Sequence, residues 1–140
     1  MISTQISRVS AVFLAVCGGG LLFASDEILP WLIPAFPPGA AWLGQTVAAG
    51  WLGVASLNWL SQSMLLGGIY GRQVVSTNAT VYFITATVLL KVVARGDAHI
   101  AVWLLFVPVV ILAGIYVWLL FRGPIERDFA SSKTVSPPIR

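Results

Sequence analysis

Charge is what this sequence has least of. Of its 140 residues only 9% are charged while 58% are hydrophobic, and the mean hydropathy is +0.90. A soluble domain keeps about a quarter of its residues charged to face water, so the solvent for most of this surface is lipid. The formal net charge is +3, but the basic residues stand at the ends of apolar runs, where they meet headgroups. That placement argues against a nucleic-acid partner. Cys17 is the single cysteine, which excludes an intrachain disulfide and a redox pair. His99 is the single histidine, and Asp26, Glu27, Asp97, Glu126 and Asp128 all fall at the ends of apolar runs or between them. Di-iron chemistry and metalloproteolysis need several histidines and carboxylates together, and proton-coupled export needs a carboxylate inside a span. No nucleophile has a placed base. The expectation is a protein that is not an enzyme and carries no cofactor or metal. His99, as a lone axial ligand to a pigment, is the one candidate against it.

What the sequence has in quantity is uninterrupted apolar chain. Crossing the apolar core of a bilayer takes about 20 helical residues. Four stretches are long enough, at about 6–25, 40–62, 74–94 and 99–121. Backbone groups in lipid must bond within their own segment, and these runs lack the alternation of barrel strands, so they are read as helices. The expected fold is all-α, an integral membrane bundle of four transmembrane helices over residues 1–122. A polar, partly disordered cytoplasmic tail is expected over 123–140. Pro30, Pro34, Pro37 and Pro38 separate the first two helices. Because Ile28, Leu29, Trp31, Leu32, Ile33 and Phe36 lie in this connection, it is expected at the interface rather than in water.

Orientation follows from lysine and arginine, which are retained on the cytoplasmic side. In a four-span arrangement Arg8, Arg72, Arg122, Arg127, Lys133 and Arg140 share one side, against Lys91 and Arg95 on the other. Both termini are therefore expected in the cytoplasm of a bacterial inner membrane. Trp31, Trp42 and Trp103 mark one headgroup level and Trp59 and Trp118 the other. Trp51, in the middle of its helix, needs an internal contact. Lys91 is expected to snorkel toward the interface, and Pro108 to bend the last helix.

Gly44, Ala48, Trp51, Ala55, Asn58 and Gln62 recur at spacings of four and three, so they share one face of the second helix. Ala49 and Gly53 form an adjacent small-residue strip. Small side chains let helices approach closely and amides bond across them, so Gly44, Ala48, Ala49, Gly53 and Ala55 are expected to pack helices. Asn58, Gln62, Tyr70, Arg72 and Asn78 converge on the cytoplasmic ends of the second and third helices, as a structural latch or a ligand site. These residues also carry a resemblance. Asn58-Trp59, Gly67-Gly68-Ile69-Tyr70-Gly71-Arg72 and Asn78 resemble a pattern in small uncharacterised bacterial four-helix membrane proteins. The resemblance implies the same topology and carries no activity with it.

Two functions are expected from different classes. One is a structural or accessory membrane protein that packs with itself or with a larger membrane complex. The other is a module that uses the polar cluster to bind or transport a lipid headgroup or small solute. Membrane lipids are partners in both.

Overall fold

The computed structural model describes residues 2–33, 35–37, 39–62, 68–96 and 98–122, with the side chains of residues 2, 3, 68–70 and 122 outside that description. The expected tail over 123–140, residues 63–67 and Asp97 lie outside the described residues. The described residues form helices and no strand: α1 (Ile2–Phe23), α2 (Ser25–Leu32), α3 (Ala41–Leu60), α4 (Gly68–Val93) and α5 (Ile100–Arg122).

Among the described residues there are five helices, not the four expected. The additional one, α2, lies in the apolar connection, where the prolines alone predict a break. Pro30 sits inside α2, where its missing N–H costs one intrahelical bond. Three features favour the helix nonetheless. Asp26 and Glu27 in the first turn oppose the helix dipole, Leu29 packs toward α3 beside Gly44, and the Ile33 N–H closes the last turn onto the Leu29 carbonyl at 2.8 Å.

Among the described residues three helices, not four, are both long and apolar enough to cross a membrane: Thr4–Phe23, Gly71–Val93 and Ile100–Phe121. The remaining long helix, α3, has 20 residues and no charge. Its hydropathy is diluted by Gln45, Thr46, Asn58, three glycines and three tryptophans, whose indoles count as weakly polar on a water-transfer scale.

The four long helices are arranged as two antiparallel pairs, with the short α2 against α3 and α1. In the first, Ser7 meets Asn58, Gly18 meets Ala48 and Leu52, and Leu21 meets Gly44, so α3 runs back along the length of α1. In the second, a turn at Gly96, with φ +86°, sends α5 back along α4. Glycine adopts that left-handed backbone without Cβ strain. The core where the pairs meet contains Leu14, Ala55, Val74, Val75, Ala79, Tyr82, Val109, Leu112, Ala113 and Tyr116. The outside is largely apolar, with Phe23, Leu60, Leu104 and Phe121 among the exposed side chains. Trp31, Trp42, Trp59, Trp103 and Trp118 are exposed and Trp51 is half-buried. α5 runs through Pro108 without interruption.

Candidate functional site

The polar residues buried between the pairs form one connected network. Asn58, near the end of α3, and Asn78, in α4, face each other as a reciprocal amide pair. Asn58 Nδ2 donates to Asn78 Oδ1 at 2.8 Å, and Asn78 Nδ2 donates to Asn58 Oδ1 at 2.6 Å. The second hydrogen of each amide is also used, by Ser10 Oγ at 2.8 Å and by the Val74 carbonyl at 2.9 Å. Because every amide hydrogen has an acceptor, the network itself fixes which atom of each amide is oxygen.

Ser10 of α1 is the junction. Its oxygen lies 2.7 Å from Tyr82 Oη and 3.4 Å from Asn78 Oδ1. One assignment satisfies all three groups: Tyr82 donates to Ser10, and Ser10 donates to Asn78. The reverse direction leaves the Tyr82 hydroxyl hydrogen without a partner. One turn earlier in α1, Ser7 Oγ donates to the Asn58 carbonyl at 2.7 Å, one of the carbonyls that a helix end leaves open. Asn58, Asn78, Ser7, Ser10, Tyr82 and Tyr116 are all at most 1% exposed. The Tyr82 and Tyr116 rings stack at 5.7 Å with 13° between planes, which brings α5 against the network. The Tyr116 hydroxyl is buried with no hydrogen bond.

Of the residues expected to cluster here, the structure joins Asn58 and Asn78 directly. Gln62 is engaged by Arg8 of α1, whose Nε donates to Gln62 Oε1. Counting residues at 1.5 Å each, the amides lie roughly 3–6 Å deeper than this contact. Arg72 is exposed, on a different face of α4 from Asn78. The side chain of Tyr70 lies outside the described residues. Sequence reasoning missed Ser7, Ser10, Tyr82 and Tyr116. The three-residue step from Ser7 to Ser10 and the four-residue step from Asn78 to Tyr82 each put their pair on one helix face, which was the available signal.

Among the expected packing residues, Gly44, Ala48 and Ala55 are buried in α3. A Cβ on Gly44 would lie 2.8 Å from Leu29 Cδ1 and 3.2 Å from Ser25 Cβ, so close approach of α1, α2 and α3 requires glycine there. Ala49 and Gly53 point away from the bundle, and a Cβ on Gly53 would meet nothing within 4 Å.

His99 caps α5. Its Nδ1 accepts the Ala101 N–H at 3.3 Å, and its ring meets Trp31 edge to face at 4.6 Å. This contact joins the end of α2 to the start of α5 at the side of the bundle opposite the amides. Lys91 and Arg95 are exposed near the same end. Among the described residues no three of His, Cys, Asp and Glu gather as a metal site. The Thr85 and Thr87 hydroxyls return to carbonyls one turn earlier in α4, at 2.7 and 2.8 Å.

The comparisons with known proteins add no relative: no family model, no curated protein and no solved structure matches the chain.

Proposed function

We propose that this protein is a non-enzymatic structural or accessory component of a bacterial inner membrane, crossing it four times with both termini in the cytoplasm. It packs with copies of itself or with a larger membrane complex. The observation that carries the reading is the closure of the polar network. Each amide hydrogen of Asn58 and Asn78 is spent inside the bundle, while the surface turned outward is apolar. Such an arrangement holds helices in register and presents side chains that lipid or another membrane helix can cover.

Four crossings are supported by packing, although α3 is less apolar than its neighbours. α3 lies against α1 from the Ser7–Asn58 contact to the neighbourhood of Leu21 and Gly44, so a bilayer that encloses α1 also encloses α3. The orientation rests on the basic residues. Arg8 and Arg72 lie at the end of the bundle where α1 and α4 begin, and Asp26, Glu27, Lys91 and Arg95 at the other.

Extraction from native membranes in a mild detergent or a polymer disc, followed by mass measurement of the intact particle, tests the reading. A homo-oligomer or a stoichiometric complex with another membrane protein is expected. A monomer carrying lipid alone overturns it. The alternative, binding of a lipid headgroup or small solute by Asn58, Gln62, Tyr70, Arg72 and Asn78, is left with Gln62, Tyr70 and Arg72, since the amides are already engaged with each other.

A further inference from the structure

Trp51 packs against the core where the helix pairs meet. It lies midway along α3, half-buried, and its indole N–H has no acceptor among the described residues. In the middle of a membrane an N–H without an acceptor is costly, because no bulk water is there to replace one, and a tryptophan that is partly buried usually finds a partner for that group.

The structure places Trp51 beside a small cavity. It has a volume of about 10 Å³ and is bordered by Phe13 and Leu14 of α1, Trp51 of α3, Tyr82 and Thr85 of α4, and Val109 of α5. By the same measure, a site needs roughly 10–15 Å³, together with two or more polar partners, to hold one water molecule. The size therefore suits a single water and excludes a lipid tail or an organic ligand. Among the bordering residues are ones that carry a donor and ones that carry acceptors. Trp51 supplies a donor. Thr85 Oγ1 spends its hydrogen on the Val81 carbonyl at 2.7 Å and keeps a lone pair. Tyr82 Oη, in the assignment that satisfies Ser10, has donated its hydrogen and also keeps a lone pair.

We propose that this cavity is a binding site for one ordered water, which accepts from the Trp51 indole N–H and donates to Thr85 Oγ1 and Tyr82 Oη. The water bridges α3 to α4 about one to two turns deeper than the amide pair, and extends the polar contact between the two helix pairs toward the middle of the membrane. The site does not depend on the scaffold reading, because any function of the bundle would leave the same indole to be satisfied.

The test uses the full chain in lipid nanodiscs, labelled with ¹⁵N. Magnetisation transfer from water is read at the tryptophan indole N–H resonances, with Trp51 assigned by its loss in Trp51→Phe. Trp59 and Trp118, at the membrane surface, serve as references for transfer from bulk water. A water cross-peak at Trp51 that persists in Thr85→Ser and is lost in Thr85→Val is expected. No cross-peak at Trp51 in the unmodified chain, with the surface indoles responding, overturns the proposal. So does a cross-peak of unchanged intensity in Thr85→Val. The unmodified chain is decisive by itself, so a variant that fails to fold leaves the test intact.

Discussion

The two helix pairs share one geometry, two antiparallel helices with a largely apolar outside, and build it from opposite materials. Between α1 and α3 the contact is built from small residues. Gly18 lies so close to α3 that a Cβ would sit 3.1 Å from Leu52 Cγ and 3.3 Å from the Ala48 carbonyl, and one on Gly44 would sit 3.3 Å from Leu21 Cδ1 of α1 and 2.8 Å from Leu29 Cδ1 of the adjoining α2. Between α4 and α5 the contact is built from large ones, with Tyr82 stacked on Tyr116. There Gly114 opens onto space, beside a groove of about 450 Å³ bordered by Phe83, Leu90, Phe106 and Val110. The first pair gains from short backbone distances and tolerates no added volume. The second gains from aromatic area and has volume to spare. Polar groups appear where the two kinds of pair must be held against each other, which is the location hydrophobic burial cannot specify in lipid, since tails are as apolar as leucine.

The largest test of this contrast is Gly44→Leu set against Gly114→Leu. At Gly44 the added side chain must displace Leu29 and Ser25, and overpacking of this kind costs about 1–3 kcal/mol. At Gly114 it enters open space, and a change of less than about 0.5 kcal/mol is expected. Unfolding in mixed micelles of increasing denaturing detergent measures both. Equal losses would refute the difference in packing between the pairs.

Next in size is the amide pair. Asn58→Leu leaves one Asn78 hydrogen without an acceptor, frees a lone pair of Ser10, and leaves Asn78 Oδ1 with only the 3.4 Å contact from Ser10. A buried polar group left unsatisfied costs about 1–3 kcal/mol. Removing both partners leaves less to satisfy, so Asn58→Leu combined with Asn78→Leu is expected to cost less than the sum of the single changes. A coupling of at least about 0.5 kcal/mol in the double-mutant cycle is expected for residues in one network, and additivity would show that the amides do not act together.

The tyrosines separate two hydroxyls on rings that pack alike. Tyr82 is bonded to Ser10 and Tyr116 is unbonded. Tyr82→Phe is therefore expected to destabilise by about 1 kcal/mol, and Tyr116→Phe to leave stability unchanged or raise it, by the same unfolding measurement. A larger loss at Tyr116 than at Tyr82 would reverse the assignment of the network.

How far these features were legible in the sequence depends on what each residue could reveal alone. Three of the helices stood out as long apolar runs. α3 was legible by length and absence of charge, but its tryptophans and amides bring it below the others in hydropathy. α2 was hidden because prolines were weighed as breakers while the acidic first turn and the fit of Leu29 beside Gly44 were not. Gly44, Ala48, Ala55 and Asn58 were legible as one face from their spacing. Which residue Asn58 would meet was not, since an amide does not indicate its partner until chain topology brings α3 to α4. Ser10 and Tyr116 were missed for a related reason. A serine in an apolar helix can bond to its own backbone, and a tyrosine near a helix end can belong to the interfacial belt, so neither announces a buried role.

The strip formed by Ala49 and Gly53 is where sequence and structure part most usefully, and it yields the smallest expected effect on the fold. Spacing placed it beside the packing face, and the structure turns it outward, with open space at Gly53. Gly53→Leu is therefore expected to change the stability of the single chain by no more than about 0.5 kcal/mol, where Gly44→Leu costs several times that. Its effect on association is the informative quantity. Small residues on an outward helix face permit close approach of a second helix, so a leucine there is expected to lower the mass of the extracted particle while the unfolding midpoint stays in place. If mass and midpoint are both unchanged, Gly53 faces lipid, and the partner surface belongs to another face of the bundle. If both fall together, Gly53 contributes to the fold of the single chain, and the division of α3 into an inward and an outward small-residue strip fails.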